Sequence, residues 1–283
     1  MATDWRPYWA VVSARYRMLL QYRAAAFAGF VTQLFWGAIR LMILAAFYAA
    51  ASAAASAGAS TAPPMSFAQI AAYVWLGQAL LGLLPWNIDN DLGTQIRTGG
   101  VAYELLRPLN LYTYWFMRTL AFRCAGTTLR MLPLLAFAMG VLPMLGLGQW
   151  SMPPPASLLS GVLFMCSLIC TVLLSTAITM LMHIGLLWTI AGDGFNRSMP
   201  GVVSVLSGMT VPLPLFPDWL QPALYWQPFR GLADVPYRIY GGHIAANDAL
   251  LEILLQFGWA ALIAGAGAAL LARGTRALVL QGG

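Results

Sequence analysis

The residues able to do chemistry are few, and they cluster. Positions 87–110, NIDNDLGTQIRTGGVAYELLRPLN, carry Asp89, Asp91, Arg97, Glu104 and Arg107 in a 283-residue chain that is only 8% charged. Outside that island, His183 and His243 have no carboxylate or serine at motif spacing and are read as polar interface residues. Ser175, Ser204 and Ser207 could supply a nucleophilic oxygen, yet no nucleophile–base pattern accompanies them. All fifteen basic residues are arginine. With no lysine, a phosphate-binding P-loop, a kinase-type site and a Schiff base all lack their central group, so nucleotide hydrolysis by this chain is excluded. Cys166 and Cys170 sit four apart on one helical face with no His or acidic neighbour, so neither a metal site nor a disulfide is expected. The charged island is therefore read as a surface presented to a partner rather than as a catalytic centre.

The remainder of the chain must position that island, and its composition says how. Hydrophobic residues make up 60% of the chain, with a mean hydropathy of +0.72. A soluble domain of this size cannot bury so much apolar surface, so a polytopic membrane protein is expected. Nothing alternates polar and apolar as a barrel would, and the spans are read as helices. The fold class is all-α, with six crossings at about 24–50, 67–86, 115–147, 157–182, 198–213 and 248–272. The third run is too long for one crossing, and its arginine-bearing start, with Arg118, Arg123 and Arg130, is placed in or below the cytoplasmic interface.

Residues 1–23 are set apart from the single membrane domain at 24–283. They form no signal peptide, since charges run throughout. On a helix, Trp5, Trp9, Val12, Tyr16, Leu19 and Leu20 lie on one side, with Arg6, Ser13, Arg17 and Gln21 opposite. That is the pattern of an amphipathic helix lying in the membrane interface. Arginine counting sets the orientation. With both termini in the cytoplasm, the inner segments hold Arg6, Arg15, Arg17, Arg23, Arg97, Arg107, Arg197, Arg273 and Arg276, and the outer ones hold Arg230 and Arg238. The island at 87–110 and the loop with Asp193 and Arg197 then face the cytoplasm. Loop 51–66 lies outside and is uncharged. The segment 208–243 has six prolines, Pro212 to Pro236, that forbid one continuous helix. Its tryptophans and tyrosines fit two short helices dipping back from the outer face, with an ordinary outer loop lying on the membrane surface as the other reading.

Two motifs, IRTGGVAYELLRPLN after the second span and SGMTVPLPLFPDWLQ after the fifth, together with the span order, resemble the membrane subunit (permease) of ABC exporters of the ABC-2 type. The resemblance covers nearly the whole chain. It implies that 89–108 is a coupling helix seated in a groove of a separate ATP-binding subunit, with two permeases and two ATPases forming the working unit. ATP and Mg²⁺ are then bound by the partner, and no cofactor or metal is bound by this chain. It further implies a bacterial inner-membrane location, an N-terminal helix acting as a lateral gate or connecting helix, and outer re-entrant helices shaping the exit. The residues expected to meet the partner are Asp91, Gln95, Arg97, Tyr103, Glu104, Leu105 and Arg107. Locally, Asp89 or Asn90 can cap a helix, Gly99-Gly100 allows a turn, and Pro108 stops the next helix.

Arg40 lies inside the first span, where a lone cation costs several kcal/mol. It and Glu252 both fall on the outer side of the midplane, so a pair between them is geometrically open. Arg40 then lines the pathway or the permease interface, or else its long stem reaches the membrane interface or a stray carbonyl. Two other functions compete. A secondary transporter or channel would show paired intramembrane charges and internal repeats, and only one interrupted segment is visible. An intramembrane protease would need the nucleophile–base pattern that is missing. Partners are thus an ATPase, a second permease (identical or homologous) and lipid, with no nucleic acid. The mostly apolar spans suit an amphipathic or lipophilic cargo.

Overall fold

A computed structural model describes residues 5–56, 63–188 and 193–281, and within them every regular element is helical. Positions 57–62 of the uncharged loop and 189–192 of the Asp193 loop lie outside the described residues. In chain order the helices are α1 (Arg6–Leu19), α2 (Arg23–Ser56), α3 (Phe67–Ala79), α4 (Asn90–Arg97), α5 (Val101–Leu105), α6 (Leu111–Ala136), α7 (Leu158–Trp188), α8 (Asp193–Leu206), α9 (Gln221–Trp226), α10 (Asp234–Tyr240) and α11 (Ala246–Gln281). A wide π turn at Phe137–Val141 and a last turn at Leu142–Met144 prolong α6.

Four helical stretches are long and apolar enough to cross a membrane: Arg23–Ser56, Leu111–Met144, Leu158–Trp188 and Ala246–Arg276. The other two expected crossings are short. At 1.5 Å per residue, α3 and α8 each reach about 20 Å, against the ~30 Å of a hydrocarbon core. Ser66 starts α3 with a reciprocal cap: its hydroxyl accepts from the Gln69 N–H at 3.2 Å and its own N–H donates to Gln69 Oε1 at 2.9 Å. After Ala79 the chain tightens into a 3₁₀ turn at Leu81–Leu83 ahead of Pro85.

The long helices wrap this short one. Every residue of α3 from Ile70 to Ala79 is buried, and it packs against α2, α6 and α10. The longest helix pairing runs between α7 and α11. By contrast α2 and α11 turn large apolar side chains outward, among them Phe27, Phe35, Phe47, Leu254, Phe257 and Leu262. Water does not support an apolar belt of that extent, and bilayer hydrocarbon does.

The prolines of 208–243 break the chain into two short helices, α9 and α10, joined by 3₁₀ turns. Side chains from α3, α7 and α11 hold this segment by its carbonyls. Thr171 Oγ1 and Gln256 Nε2 donate to Gly231 O at 2.9 and 2.7 Å, and Tyr73 Oη donates to Gly208 O at 3.1 Å. Gly208 sits at φ +81°, with the Tyr73 hydroxyl 2.4 Å from where a Cβ would stand. His243 accepts from Arg238 Nε and donates to Pro64 O. Burial, and then the Arg238 cation, hold its pKa below the usual histidine value.

Candidate functional site

The charged island folds into the helix pair α4–α5. Asp89 caps α4, its carboxylate accepting the Asp91 N–H at 3.1 Å. Gly99, at φ +75°, makes the turn between the two helices, a left-handed backbone that a side chain would strain. One face of the pair is apolar. Leu92, Ile96 and Val101 are buried with Trp115 of α6, Met180 and Ile184 of α7, and Leu271 of α11. Burying that face seats the pair on three long helices at once.

Charges complete the seat. The Asp89 side chain is almost fully enclosed, 2% exposed as a residue. Arg15 Nη2 of α1 reaches both of its oxygens at 2.8 Å, and Arg118 Nε of α6 donates at 3.1 Å. Arg15 also pairs with Asp91 at 2.8 Å, and Arg118 Nη1 donates to Gln95 Oε1 at 3.3 Å. His183 of α7 accepts the Asp89 backbone N–H on Nε2 at 3.0 Å, so its Nδ1 carries the proton and donates to Thr179 O at 2.9 Å. Three helices, α1, α4 and α6, thus meet at one carboxylate, and α7 holds the backbone of the same residue. Breaking such a buried group by removing one partner costs far more than its net contribution, because the remaining charges stay desolvated.

The expected docking residues fall into two sets. Tyr103 is 78% exposed and its neighbour Leu106, which the sequence does not single out, is 82% exposed. Leu105, Arg97 and Arg107 are exposed beside them, and Arg107 Nη1 donates to Tyr114 Oη at 3.2 Å with its guanidinium over that ring. Asp91 is exposed but tied to Arg15, and Gln95 is tied to Arg118. Glu104 departs from expectation. It is 7% exposed, and its Oε2 accepts the Trp115 indole N–H at 2.6 Å, so it faces the protein's own interior. The spacing carried that signal: Glu104 follows the buried Val101 by three residues and shares its helical face. Arg15, Arg118 and His183 are the partners that the pattern of the island could not disclose, being 74, 29 and 94 residues from Asp89.

The pair considered between Arg40 and Glu252 does not form. Arg40 Nη1 donates to the Met209 carbonyl at 2.7 Å, and Glu252 pairs with Arg230 at 2.9 Å. The loop that follows α8 leaves a backbone acceptor beside α2, which satisfies Arg40 without a carboxylate. Arg230 reaches Glu252 from the 3₁₀ turn at Pro228–Leu232.

The structure therefore presents a rigidly seated helix pair with an aromatic–aliphatic tip, on a bundle with an apolar outer belt. Neither a curated protein nor a solved structure matches the chain. The sequence profile of the family described as "ABC-2 family transporter protein" matches residues 65–282, well over half of the chain. The chain belongs to that family of membrane transport permeases.

Proposed function

We propose that the chain is the permease subunit of an ATP-binding cassette exporter, moved by a separate ATPase that grips α4–α5. The observation that carries this is the exposed Tyr103–Leu106 tip on an otherwise anchored helix pair. Aromatic and large aliphatic side chains left in water on a charged loop are costly unless a partner covers them, and such residues dominate protein interfaces. A loosely tethered loop would absorb the partner's motion. This one is fastened through Asp89 to α1, α6 and α7, so a displacement at the tip travels as a rigid-body shift of the bundle.

In this reading ATP and Mg²⁺ bind the partner, since the chain has no lysine for a P-loop. The chain crosses a bacterial inner membrane six times. Four crossings are the long helices, and α3 and α8 supply the two short ones, α3 within a sheath of protein. Both ends lie on the α4–α5 side, in keeping with Tyr8 of α1 bonded to Asn110 and Leu271 of α11 packed beside Leu92. A second permease completes the pathway, and lipid surrounds α2 and α11.

The test is co-expression of the full chain with the ATPase subunit, followed by pull-down and transport in vesicles. The double variant Tyr103→Ala/Leu106→Ala is expected to insert and melt as the wild type does while binding the ATPase about tenfold or more weakly. Transport driven by an ion gradient in ATP-free vesicles, with no ATPase recovered, is the outcome that defeats this reading.

A further inference from the structure

A cavity of about 570 Å³ lies between α6, the turn at residues 81–87 and Pro200 of α8. Among the described residues its lining includes Trp86, Asn87, Phe122, Arg123 and Arg130, and no acidic residue. Arg123 is fully buried, yet all its acceptors are neutral: Thr179 Oγ1 at 3.0 Å, the Leu84 carbonyl at 2.9 Å, and the side-chain and backbone oxygens of Asn87. Its hydrogen bonds are met and its charge is not.

Arg130 is less provided for. Its Nε is buried without a hydrogen-bond partner, and so is the Trp86 indole nitrogen on the same cavity. The position of Arg130 is nonetheless built. A Cβ on Gly29 of α2 would stand 2.5 Å from Arg130 Nε, so the glycine leaves room for the guanidinium against the helix. Gly126 and Asn87 are exposed at the edge of the cavity, and Leu84, Phe122 and Pro200 give it apolar walls.

Two cations without a counter-ion among the described residues, and two unused N–H donors around one hollow, form a site short of negative charge. Arginine matches phosphate and carboxylate oxygens in geometry as well as charge. We propose that this cavity binds the anionic head, phosphate or carboxylate, of an amphiphile whose apolar tail lies along Phe122 and out over the membrane-facing surface. Taking that amphiphile as the cargo rests on the permease reading above; the binding itself does not.

The experiment uses the full-length chain, purified in maltoside micelles, and equilibrium binding of radiolabelled dodecyl phosphate. Binding is expected to be displaced by unlabelled dodecyl phosphate and not by dodecanol, which has the same tail and no charge. Arg130→Gln should weaken it about tenfold or more, Trp86→Phe about threefold, and Arg130→Lys, which keeps the charge and loses the planar fork, should fall between wild type and Arg130→Gln. Arg130 takes part in no hydrogen bond or ion pair among the described residues, so its loss should leave the melting temperature unchanged. Equal binding to wild type and Arg130→Gln, or displacement by dodecanol, overturns the proposal. In nanodiscs, competition by phosphatidylglycerol but not phosphatidylcholine identifies the bilayer as the source of the head group. Undiminished dodecyl phosphate binding in phosphatidylglycerol identifies a non-lipid amphiphile, and both outcomes support the site. Loss of charge-selective binding with the ATPase still attached removes only this assignment. Selective binding with no ATPase partner removes only the exporter reading.

Discussion

The helix pair at 87–110 and the broken segment at 208–243 are both irregular pieces that the long helices must hold, and they are held by different chemistry. The first is fastened by side-chain charge: Asp89 between Arg15 and Arg118, with Glu104 under Trp115. The second is fastened largely by its own carbonyls, which accept from Arg40, Tyr73, Thr171 and Gln256, with the ion pairs Arg230–Glu252 and Arg238–Asp234 beside them. Carbonyls of a proline-broken backbone cannot pair within a helix, so neighbouring side chains meet them. The helix pair meets most of its backbone needs within its own turns, with His183 and Tyr8 taking the Asp89 and Asn110 N–H groups, and it ties itself to distant helices by charge. One region is thus breakable at a single carboxylate, the other at the close approach of backbone to side chain.

The largest effect should come from the carboxylate. Asp89→Ala removes the group shared by two nearly buried arginines and uncaps α4, at a cost of about 3–5 kcal/mol. The expected readout is a markedly lower melting temperature of the detergent-purified chain together with loss of ATPase co-purification. Asp89→Asn keeps an acceptor for the cap and should fall between. An unchanged melting curve in Asp89→Ala would mean that the apolar face of α4–α5 alone holds the pair, and the contrast between the two regions would collapse.

The matching break in the other region is Gly208→Ala. A methyl group there meets the Tyr73 hydroxyl, on a backbone at φ +81°. Strain and overpacking together should cost about 3 kcal/mol, with ATPase binding unaltered. Adding Tyr73→Phe removes the clashing oxygen, so the double variant should be less destabilised than the sum of the two single changes. Strict additivity would show that the close approach is not what demands glycine.

The two regions were legible in the sequence to different degrees, for a physical reason. Local signals were readable: the Asp89 cap, the Gly99 turn, the prolines that divide 208–243, and the apolar runs behind the four long helices. What fastens them was not. Arg15 and Arg118 look like positive-inside charges until folding brings them to Asp89, and no spacing rule spans 74 residues of sequence. Carbonyl acceptors are more hidden still, because every residue has one and only the broken backbone leaves it free. Arg40 shows this well: its partner is the backbone of Met209 rather than the acidic side chain that charge matching offers.

Glu104 separates bracing from docking inside the helix pair itself. Its carboxylate is buried and accepts only the Trp115 indole among the described contacts, while Tyr103 beside it points to solvent. Glu104→Ala leaves that indole N–H unpaired in the interior and should cost about 2 kcal/mol, less than either change above. Glu104→Gln keeps an acceptor oxygen of the same reach and should recover most of the loss in melting temperature. A residue that met the ATPase directly through its charge would behave differently, with Gln as damaging to partner affinity as Ala and both neutral to stability. Measuring melting temperature and ATPase affinity on the same two variants therefore decides whether α5 presents its acid to the partner or, as its burial argues, uses it to hold Tyr103 and Leu106 at the angle the partner meets.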